Sequence, residues 1–317
     1  MLTFRYSYAT INNMGNIKKT DMKISLLLVL LFFTFSASAA ANKSVTVNAL
    51  NYPVQVERNQ SLVSLAPGSE LFEGDRVKTG THGRAWLSMP DGSVVKLGQN
   101  TEFEIRTSAF HVEQGNAVFE AAWNVIKGAF RFTSGFFPAQ FPTTRKVNIG
   151  VGAVTIGVRG TDLWGRSTRE QDFVTLLEGN VTIEAEGQPP VELNQPLMRY
   201  LKQSGKPAAP VASLKLPEVK KLGAETELSA QRGIANLDGR IELVLISLKD
   251  LDRAKQLVAR MQQAGYAVET EYVMINYEDF KRIKLTGFVS REAARSLAKQ
   301  IKAEFQLDGA WVKERDY

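Results

Sequence analysis

The sequence contains no cysteine and only two histidines, His82 and His111, among its 317 residues. The absence of cysteine excludes disulfides, thiolate metal sites, cysteine nucleophiles and the lipid attachment of a lipoprotein. The two histidines are not spaced as a pair of metal ligands, which argues against a zinc site and against a Ser-His-Asp triad. We therefore predict a non-enzymatic protein without a cofactor or a metal, whose fold is stabilised by packing alone.

Long apolar runs are also scarce, and the clearest one lies near the N-terminus. Lys18, Lys19 and Lys23 precede the apolar residues 24–35, and small residues suited to signal peptidase follow. The run is shorter than the roughly 20 residues that a membrane span needs, which disfavours the alternative of an uncleaved anchor. We predict that residues 1–41 are a signal peptide and that the mature chain is periplasmic, with no stable membrane span.

The excess of positive charge is partly confined to this leader. The chain has a net charge of +6, and the predicted signal peptide carries four of its cations and one of its carboxylates. Its removal therefore halves the net charge to +3. So small an excess gives no reason to predict a nucleic-acid partner.

Residues 42–202 show short apolar stretches separated by tight turns. Asp91-Gly92 lies between the apolar stretches 85–89 and 94–97, a pattern that predicts a hairpin. Farther along, Val154, Ile156 and Val158 alternate with smaller or polar residues before a glycine turn. This region is predicted to be an all-β domain.

Two segments of this region carry a family resemblance. TIGVRGTD at 155–162, preceded by FRFTSG at 130–135, resembles the core signature of the FecR domain family. GDRVKTG, GRAWLSMPDGSVVKLG and NTEFEI resemble the first half of that domain, and residues 173–183 resemble its closing strands. Members of the family are extracytoplasmic β-rich modules, best known from regulators of iron uptake. The resemblance implies an interaction or sensing module.

We predict structural roles for the polar and glycine residues of this signature, which are Asp75, Asp91, Gly92, Arg159, Gly160 and Thr161. The two aspartates lie beside glycines, where turn-forming aspartates are common. Arg159 is expected to be clamped by an internal carboxylate such as Asp75, Asp91 or Glu178. The alternative is that Arg159 recognises an anionic partner.

The composition changes after residue 202. Residues 204–210, SGKPAAP, are typical of a semi-extended linker that cannot start a helix. We predict a flexible linker over 203–239 that contains at most one short helix.

Residues 240–317 show the most regular pattern. A strand over 241–248 precedes a helix capped by Asp250, and after two further strands Ser290 caps a second helix before a closing strand at 310–312. The order βαββαβ predicts an α+β domain with the ferredoxin-like plan. The chain is thus predicted to be multi-domain, with an all-β part followed by an α+β part.

This second region also resembles a known family. DLDRAKQLVARMQQAGY at 250–266 and RIKLTGFVSREAARSLAKQI at 282–301 resemble the SPOR domain. SPOR domains are small bacterial modules that bind peptidoglycan glycan strands lacking stem peptides. The resemblance therefore implies peptidoglycan as the partner and the cell envelope as the location.

Strand alternation predicts which side chains such a glycan would meet. The candidate glycan-binding residues are Val244, Ile246, Arg282, Lys284, Thr286 and Trp311. Rings stack on the apolar faces of sugars, and polar side chains form hydrogen bonds with the hydroxyl groups. A SPOR domain usually has a glutamine on its first strand where this sequence has Val244. The alternative is a solvated basic face that covers an apolar strand pair.

The predicted function is that of an exported envelope protein, with a SPOR-like domain that binds denuded glycan strands and a FecR-like interaction module. The alternative is a FecR-type signalling or scaffold protein whose SPOR-like domain binds an envelope protein. A cell-wall hydrolase would need two paired carboxylates in a cleft, and the sequence singles out no such pair.

Overall fold

The computed structural model describes residues 44–135 and 144–315, and within these ranges the chain is mostly β. The predicted signal peptide lies outside the described residues. The described residues form one compact unit. Of the helices in the described ranges, none is long and apolar enough to cross a membrane.

The first part of the described chain consists of strands. Their bounds, from β1 to β15, are Val45–Asn51, Val54–Arg58, Ser61–Ser64, Glu70–Leu71, Arg76–Thr79, Arg84–Ser88, Val94–Leu97, Glu102–Glu113, Asn116–Thr133, Thr144–Val151, Val154–Ser167, Gln171–Ala185, Val191–Leu193, Met198–Gln203 and Ala212–Ser213.

The long strand β9 organises this first part. Its residues 118–125 pair in parallel with β10 and antiparallel with β8, whereas residues 128–133 pair with β11. Residues 130–133 also pair with β7. One continuous strand therefore joins two sets of neighbours.

Gly128 lies where β9 changes partners. Its φ is +93°, and a Cβ atom at this position would lie 2.3 Å from Thr101 Oγ1 and 2.5 Å from Thr101 Cα. The Thr101 hydroxyl in turn bonds both the backbone oxygen and the backbone nitrogen of Ala129, at 3.1 and 3.2 Å. Only glycine combines this conformation with this close approach.

Alternate residues of these strands fill one apolar core. Trp123 packs between Phe103 and Phe132, with ring centroids 6.4 and 5.8 Å away, and all three side chains are buried. Burial of large aromatic surfaces of this kind is the main stabilising term for a fold without disulfides.

The second part mixes helices and strands. Its elements are α1 at Leu216–Thr226, a 3-10 turn at Ala230–Arg232, β16 at Ile234–Asn236, β17 at Ile241–Leu248, α2 at Leu251–Gln263, β18 at Glu269–Ile275, β19 at Glu278–Phe288, α3 at Arg291–Phe305 and β20 at Trp311–Glu314.

The two predicted helix caps are confirmed. The Asp250 carboxylate accepts hydrogen bonds from the backbone nitrogens of Asp252 and Arg253, both at 3.0 Å, and the Ser290 hydroxyl accepts one from Ala293 at 3.1 Å. These bonds satisfy backbone N–H groups that a helix start leaves free. Both helices pack against β17 and β19, in an antiparallel sheet with the strand order β20, β17, β19, β18.

The stretch 203–239 is not the flexible linker that its composition predicts. The indole nitrogen of Trp86 donates to the Thr226 carbonyl at 3.3 Å, which fixes the end of α1 to the first part. Strand β16 pairs with β1 on one side and, through Ala235 and Phe288, with β19 on the other. Strand β16 therefore joins the strands of the first part to the C-terminal sheet.

The C-terminal end of α2 also contacts the first part. The Gln55 amide donates to the Gln262 carbonyl at 3.1 Å, and the Ser64 hydroxyl donates to the same carbonyl at 2.6 Å. The rings of Tyr52 and Tyr266 stack with centroids 6.0 Å apart. These contacts satisfy a helix-end carbonyl and bury aromatic surface between the two parts.

Candidate functional site

The candidate glycan-binding residues lie mostly on one face of the C-terminal sheet. We call the face that carries Val244, Arg282, Lys284 and Trp311 the open face. Lys284 on β19 and Trp311 on β20 lie opposite Val244 from its two sides. Thr286 joins them and donates to the Glu269 carboxylate at 2.8 Å.

Ile246 does not lie on this face, so its prediction as a glycan contact is wrong. Strand β17 has one extra residue, Leu245, between the pairs Val244–Lys284 and Ile246–Ile283. Because directly opposite residues share a face, Ile246 lies with the buried Ile283 and packs against the core. The bulge brings Ser247 to the open face instead, where its hydroxyl oxygen accepts a hydrogen bond from Arg282 Nε at 3.4 Å.

Val244 is on the open face but is fully buried. Its cross-strand neighbours are the long side chains of Lys284 and Trp311. Val244 can therefore support a ligand site from below, but it offers no surface that a ligand could touch.

The cations of the open face are already paired with carboxylates. Lys284 Nζ donates to Glu242 Oε1 at 3.1 Å and to Glu271 Oε2 at 3.0 Å, and Arg282 Nη1 donates to Glu271 Oε1 at 3.1 Å. Glu242 is 2 % exposed and also pairs with Lys313 at 3.2 Å. The face is thus a mixed network of donors and acceptors rather than a solvated basic patch.

This network shifts the pKa values of its members. Hydrogen bonding from Lys284 holds the pKa of Glu271 below its ordinary value of 4.5, although burial opposes the shift. Burial alone would lower the pKa of Lys284, but its hydrogen bonds to Glu271 and Glu242 outweigh burial and raise the pKa above 10.5. Both shifts favour the charged forms of the two side chains, so ion pairs between charged groups hold the network together.

We expect Glu271 to stabilise the fold above pH 4.5 and to lose that contribution as the pH falls through its lowered folded-state pKa. Melting temperatures of the wild-type chain and of Glu271→Gln, measured from pH 7 to pH 3, test this. The difference between the two should be present at pH 7 and should shrink below pH 4.5. Glu186→Gln, at an exposed carboxylate of the first part, is the control. A difference that is constant across the range would contradict the expectation.

Trp311 is the exposed aromatic group of the open face. Its side chain is 41 % exposed, and the Arg282 guanidinium carbon lies 5.5 Å from the ring centroid. Glu271 holds that guanidinium in place. The indole is therefore positioned by a charged stack and still has ring surface available to a ligand.

Sequence reasoning missed the part that Glu271 plays on this face. The strand that carries it was predicted, and the same alternation that placed Arg282 and Lys284 would have placed Glu271 opposite Arg282. The signal that could have found it is thus the cross-strand pairing of opposite charges.

The signature aspartates of the first part hold turns. The Asp75 carboxylate accepts two hydrogen bonds from Arg58, at 2.7 and 2.6 Å, and one from the backbone nitrogen of Phe72 at 2.8 Å. Asp91 is followed by Gly92 with φ of +77° and accepts bonds from both the backbone nitrogen and the hydroxyl of Ser93, at 3.0 and 2.7 Å. Each carboxylate thus closes a local turn.

Arg159 is not clamped by a carboxylate, and that prediction is wrong. Its side chain is exposed, and no carboxylate of the described ranges lies within ion-pair distance of it. The carboxylate near Arg159 in sequence, Asp162, instead forms a bidentate pair with Arg131, at 3.0 and 2.7 Å. The strand is irregular between Arg159 and Asp162, where Gly160 has φ of +61° and the Thr161 hydroxyl donates to the Asn180 carbonyl at 2.8 Å.

We therefore expect Arg159→Ala to change the free energy of unfolding by less than about 0.5 kcal/mol. Arg131→Ala is the matched variant and should cost about 2 kcal/mol, because it breaks a charge-assisted pair whose carboxylate is 15 % exposed. Urea unfolding of both variants measures the difference. A large loss in Arg159→Ala would restore the clamp interpretation.

Comparison with known families identifies two domains. The model described as FecR protein matches residues 75–182, and the model described as SPOR domain matches residues 239–313. The chain carries a FecR domain followed by a SPOR domain. Both are binding or signalling domains rather than catalytic ones. Within residues 44–135 and 144–315, no three metal-binding side chains converge on a point where they could hold an ion.

Solved structures also match the chain, two of them from one protein. Both are crystal structures of a protein from Parabacteroides distasonis ATCC 8503 that is provisionally designated an anti-sigma factor. The structure at 1.65 Å resolution is 10 % identical, covers 65 % of this chain and 97 % of its own, and gives a TM-score of 0.36. The structure at 2.50 Å resolution is 11 % identical, covers 64 % and 96 %, and gives a TM-score of 0.35. No curated protein matches the chain.

Proposed function

We propose that the protein is exported to the periplasm and binds the glycan strands of peptidoglycan through the open face of its SPOR domain. The FecR domain then acts as an interaction or sensing module in the same compact unit. The match to the SPOR family supports peptidoglycan binding and a place in the cell envelope. The charge pattern and small residues of 1–41 support export.

The observation that carries this proposal is the position of Trp311. A half-exposed indole stands beside Arg282, on a face that also carries Lys284, Glu271 and Thr286. A sugar ring can stack its apolar face on the indole, while its hydroxyl groups find both donors and acceptors nearby. Two other aromatic side chains of this sheet also lie beside a lysine ammonium group, Tyr272 beside Lys281 and Phe280 beside Lys249, but Trp311 is the one that lies opposite Val244 at the paired cations.

The paired state of the cations suits the hydroxyl groups of a sugar. Lys284 is 9 % exposed and is held between two carboxylates, so it does not present a free charge to an anion. Glu271 keeps acceptor capacity because its side chain remains 32 % exposed. Hydroxyl groups can both donate to such a carboxylate and accept from the neighbouring guanidinium.

The domain plan belongs to the same proposal. We assign residues 42–202 to the FecR-like part, 203–239 to the connection and 240–317 to the SPOR-like part. The order of the four C-terminal strands, with both helices packed on β17 and β19, supports a ferredoxin-like plan for the last part.

A second candidate function is binding of an envelope protein by the SPOR domain. The β18–β19 hairpin supports it, because Tyr272, Met274 and Tyr277 are 67 %, 70 % and 97 % exposed. Tyr277 also has φ of +64°, a conformation that bulky residues rarely adopt. An exposed apolar tip of this kind is typical of a protein contact.

Two experiments test the proposal. Intact-mass measurement of exported protein should give a chain that begins near Ala40 or Asn42, and a full-length chain held in the inner membrane would contradict export. Titration of the exported chain with soluble glycan strands, prepared by amidase digestion of sacculi, should show saturable binding. Folded protein that shows no saturable binding to these strands would contradict glycan binding and favour the second candidate.

A further inference from the structure

The FecR domain has an open groove that the proposed glycan site does not use. It measures about 1210 Å³ and is lined by residues of β10, β11, β12 and the strand β13 with the residues after it. The polar residues that matter for recognition are Asn148, Arg159, Asn180, Thr182, Glu192 and Asn194. Among the described residues, the signature residue Arg159 has no ion-pair partner.

The strand register sets these polar groups side by side. Asn148 lies opposite Gly157, Gly157 lies opposite Thr182, and Thr182 lies opposite Glu192. In the neighbouring row, Arg159 lies opposite Asn180. Because Gly157 has no side chain, the middle of the first row is flat. The intervening valines of these strands are buried, so the exposed surface of the groove is polar.

Of the described residues that line the groove, one cation has no carboxylate partner. Lys146 pairs with Glu113 at 2.6 Å, and Arg145 lies 3.6 Å from the Asp91 carboxylate. Arg159 has no such partner among the described residues, and Glu192 is the acidic residue among those that line the groove. The guanidinium is therefore available to an anionic group, with the amide of Asn180 opposite it on β12.

We propose that this groove binds an extended acidic peptide segment of a partner protein. A carboxylate of the segment pairs with Arg159, because a guanidinium and a carboxylate match in a bidentate geometry. The amides of Asn148 and Asn180 each offer both a donor and an acceptor, which suits the N–H and C=O groups of an extended backbone.

Other ligand classes fit the groove less well. The described residues that line it include no aromatic side chain, which a sugar ring would stack on. One unpaired cation is too little for a nucleic acid, whose binding depends on neutralising several phosphates. The peptide proposal rests on the proposed role of the FecR domain as an interaction module and names the chemistry of its partner.

The test is selection from a phage library of random heptapeptides on the exported chain, whose described residues form one compact unit. Wild-type protein should enrich peptides that contain Asp or Glu. Arg159→Gln should lose this enrichment, whereas Arg169→Gln, at an exposed arginine outside the groove, should keep it. Urea unfolding of each variant checks that it is folded.

The best selected peptide is then synthesised with each Asp or Glu and with Asn or Gln in its place. The acidic form should bind wild-type protein about tenfold or more tightly than the amide form, and Arg159→Gln should remove the difference. Selection without acidic enrichment, or enrichment that Arg159→Gln retains, overturns the proposal. Displacement of the peptide by inorganic phosphate at equal concentration would also overturn it, in favour of a free-anion site. A chain that fails here and still binds glycan strands leaves the proposed SPOR function intact.

Discussion

Trp311→Ala should weaken binding of the exported chain to denuded glycan strands by about 1 to 3 kcal/mol, which is roughly fivefold to 150-fold, by analogy with other rings that stack on aromatic side chains. The indole is 41 % exposed and lies beside the guanidinium of Arg282, so its removal takes away the stacking plane next to that guanidinium. Equilibrium binding to soluble glycan strands measures the effect.

Tyr277→Ala is the matched control for this prediction. It removes an aromatic side chain that is 97 % exposed on the same domain but lies at the hairpin tip. It should leave the affinity within about twofold, a change of about 0.4 kcal/mol. Equal losses in the two variants would mean that the open face is not the site where the glycan binds.

Lys284→Met should lower the free energy of unfolding by about 3 kcal/mol, because it removes the central cation of a buried network. Lys284 is 9 % exposed and donates to Glu242, which is 2 % exposed, and to Glu271. Methionine fills a similar volume, so the loss reports the uncompensated carboxylates rather than a cavity. Lys313 remains 3.2 Å from Glu242 and limits the loss.

Lys302→Met is the control for the network. Lys302 pairs with Asp308 at 2.8 Å, but the two side chains are 67 % and 81 % exposed. An exposed pair contributes about 0 to 1 kcal/mol, so this variant should unfold almost as the wild type does. Urea unfolding of both variants decides the matter. A Lys284→Met variant as stable as Lys302→Met would show that Lys284 does not hold the open face together.

Much of the SPOR domain could be predicted from the sequence because its signals are local. Asp250 and Ser290 stand directly before helices whose apolar residues recur at helical spacing, and both caps are present in the structure. Capping and periodicity depend on residues a few positions apart, which a single sequence contains in full.

The wrong prediction for Ile246 shows the limit of reasoning from local patterns. Val244, Leu245 and Ile246 are all apolar, so each of them fits either face of the strand. The bulge at Leu245 is fixed by the pairing of β17 with β19, a neighbour that is distant in sequence. No residue type in the three marks the extra residue.

The predictions for Arg159 and for the connection at residues 203–239 were wrong for related reasons. The glycine after Arg159 signals a turn, but the direction in which the turn sends the side chain depends on the register with β12. Strand β16 has three residues, which is too short to show alternation, and its partners lie in two different parts of the chain. The composition of residues 203–239 predicts the proline-containing stretch that precedes β16. It carries no information about the pairing of β16 with β1 and β19.

The central claim is that the chain binds peptidoglycan through its SPOR domain, and co-sedimentation with sacculi tests it most directly. Wild-type exported protein should pellet with amidase-treated sacculi, which carry denuded strands, and should pellet much less with untreated sacculi. Trp311→Ala should stay largely in the supernatant with both. Wild-type protein that is folded by circular dichroism and stays in the supernatant with amidase-treated sacculi would contradict the account.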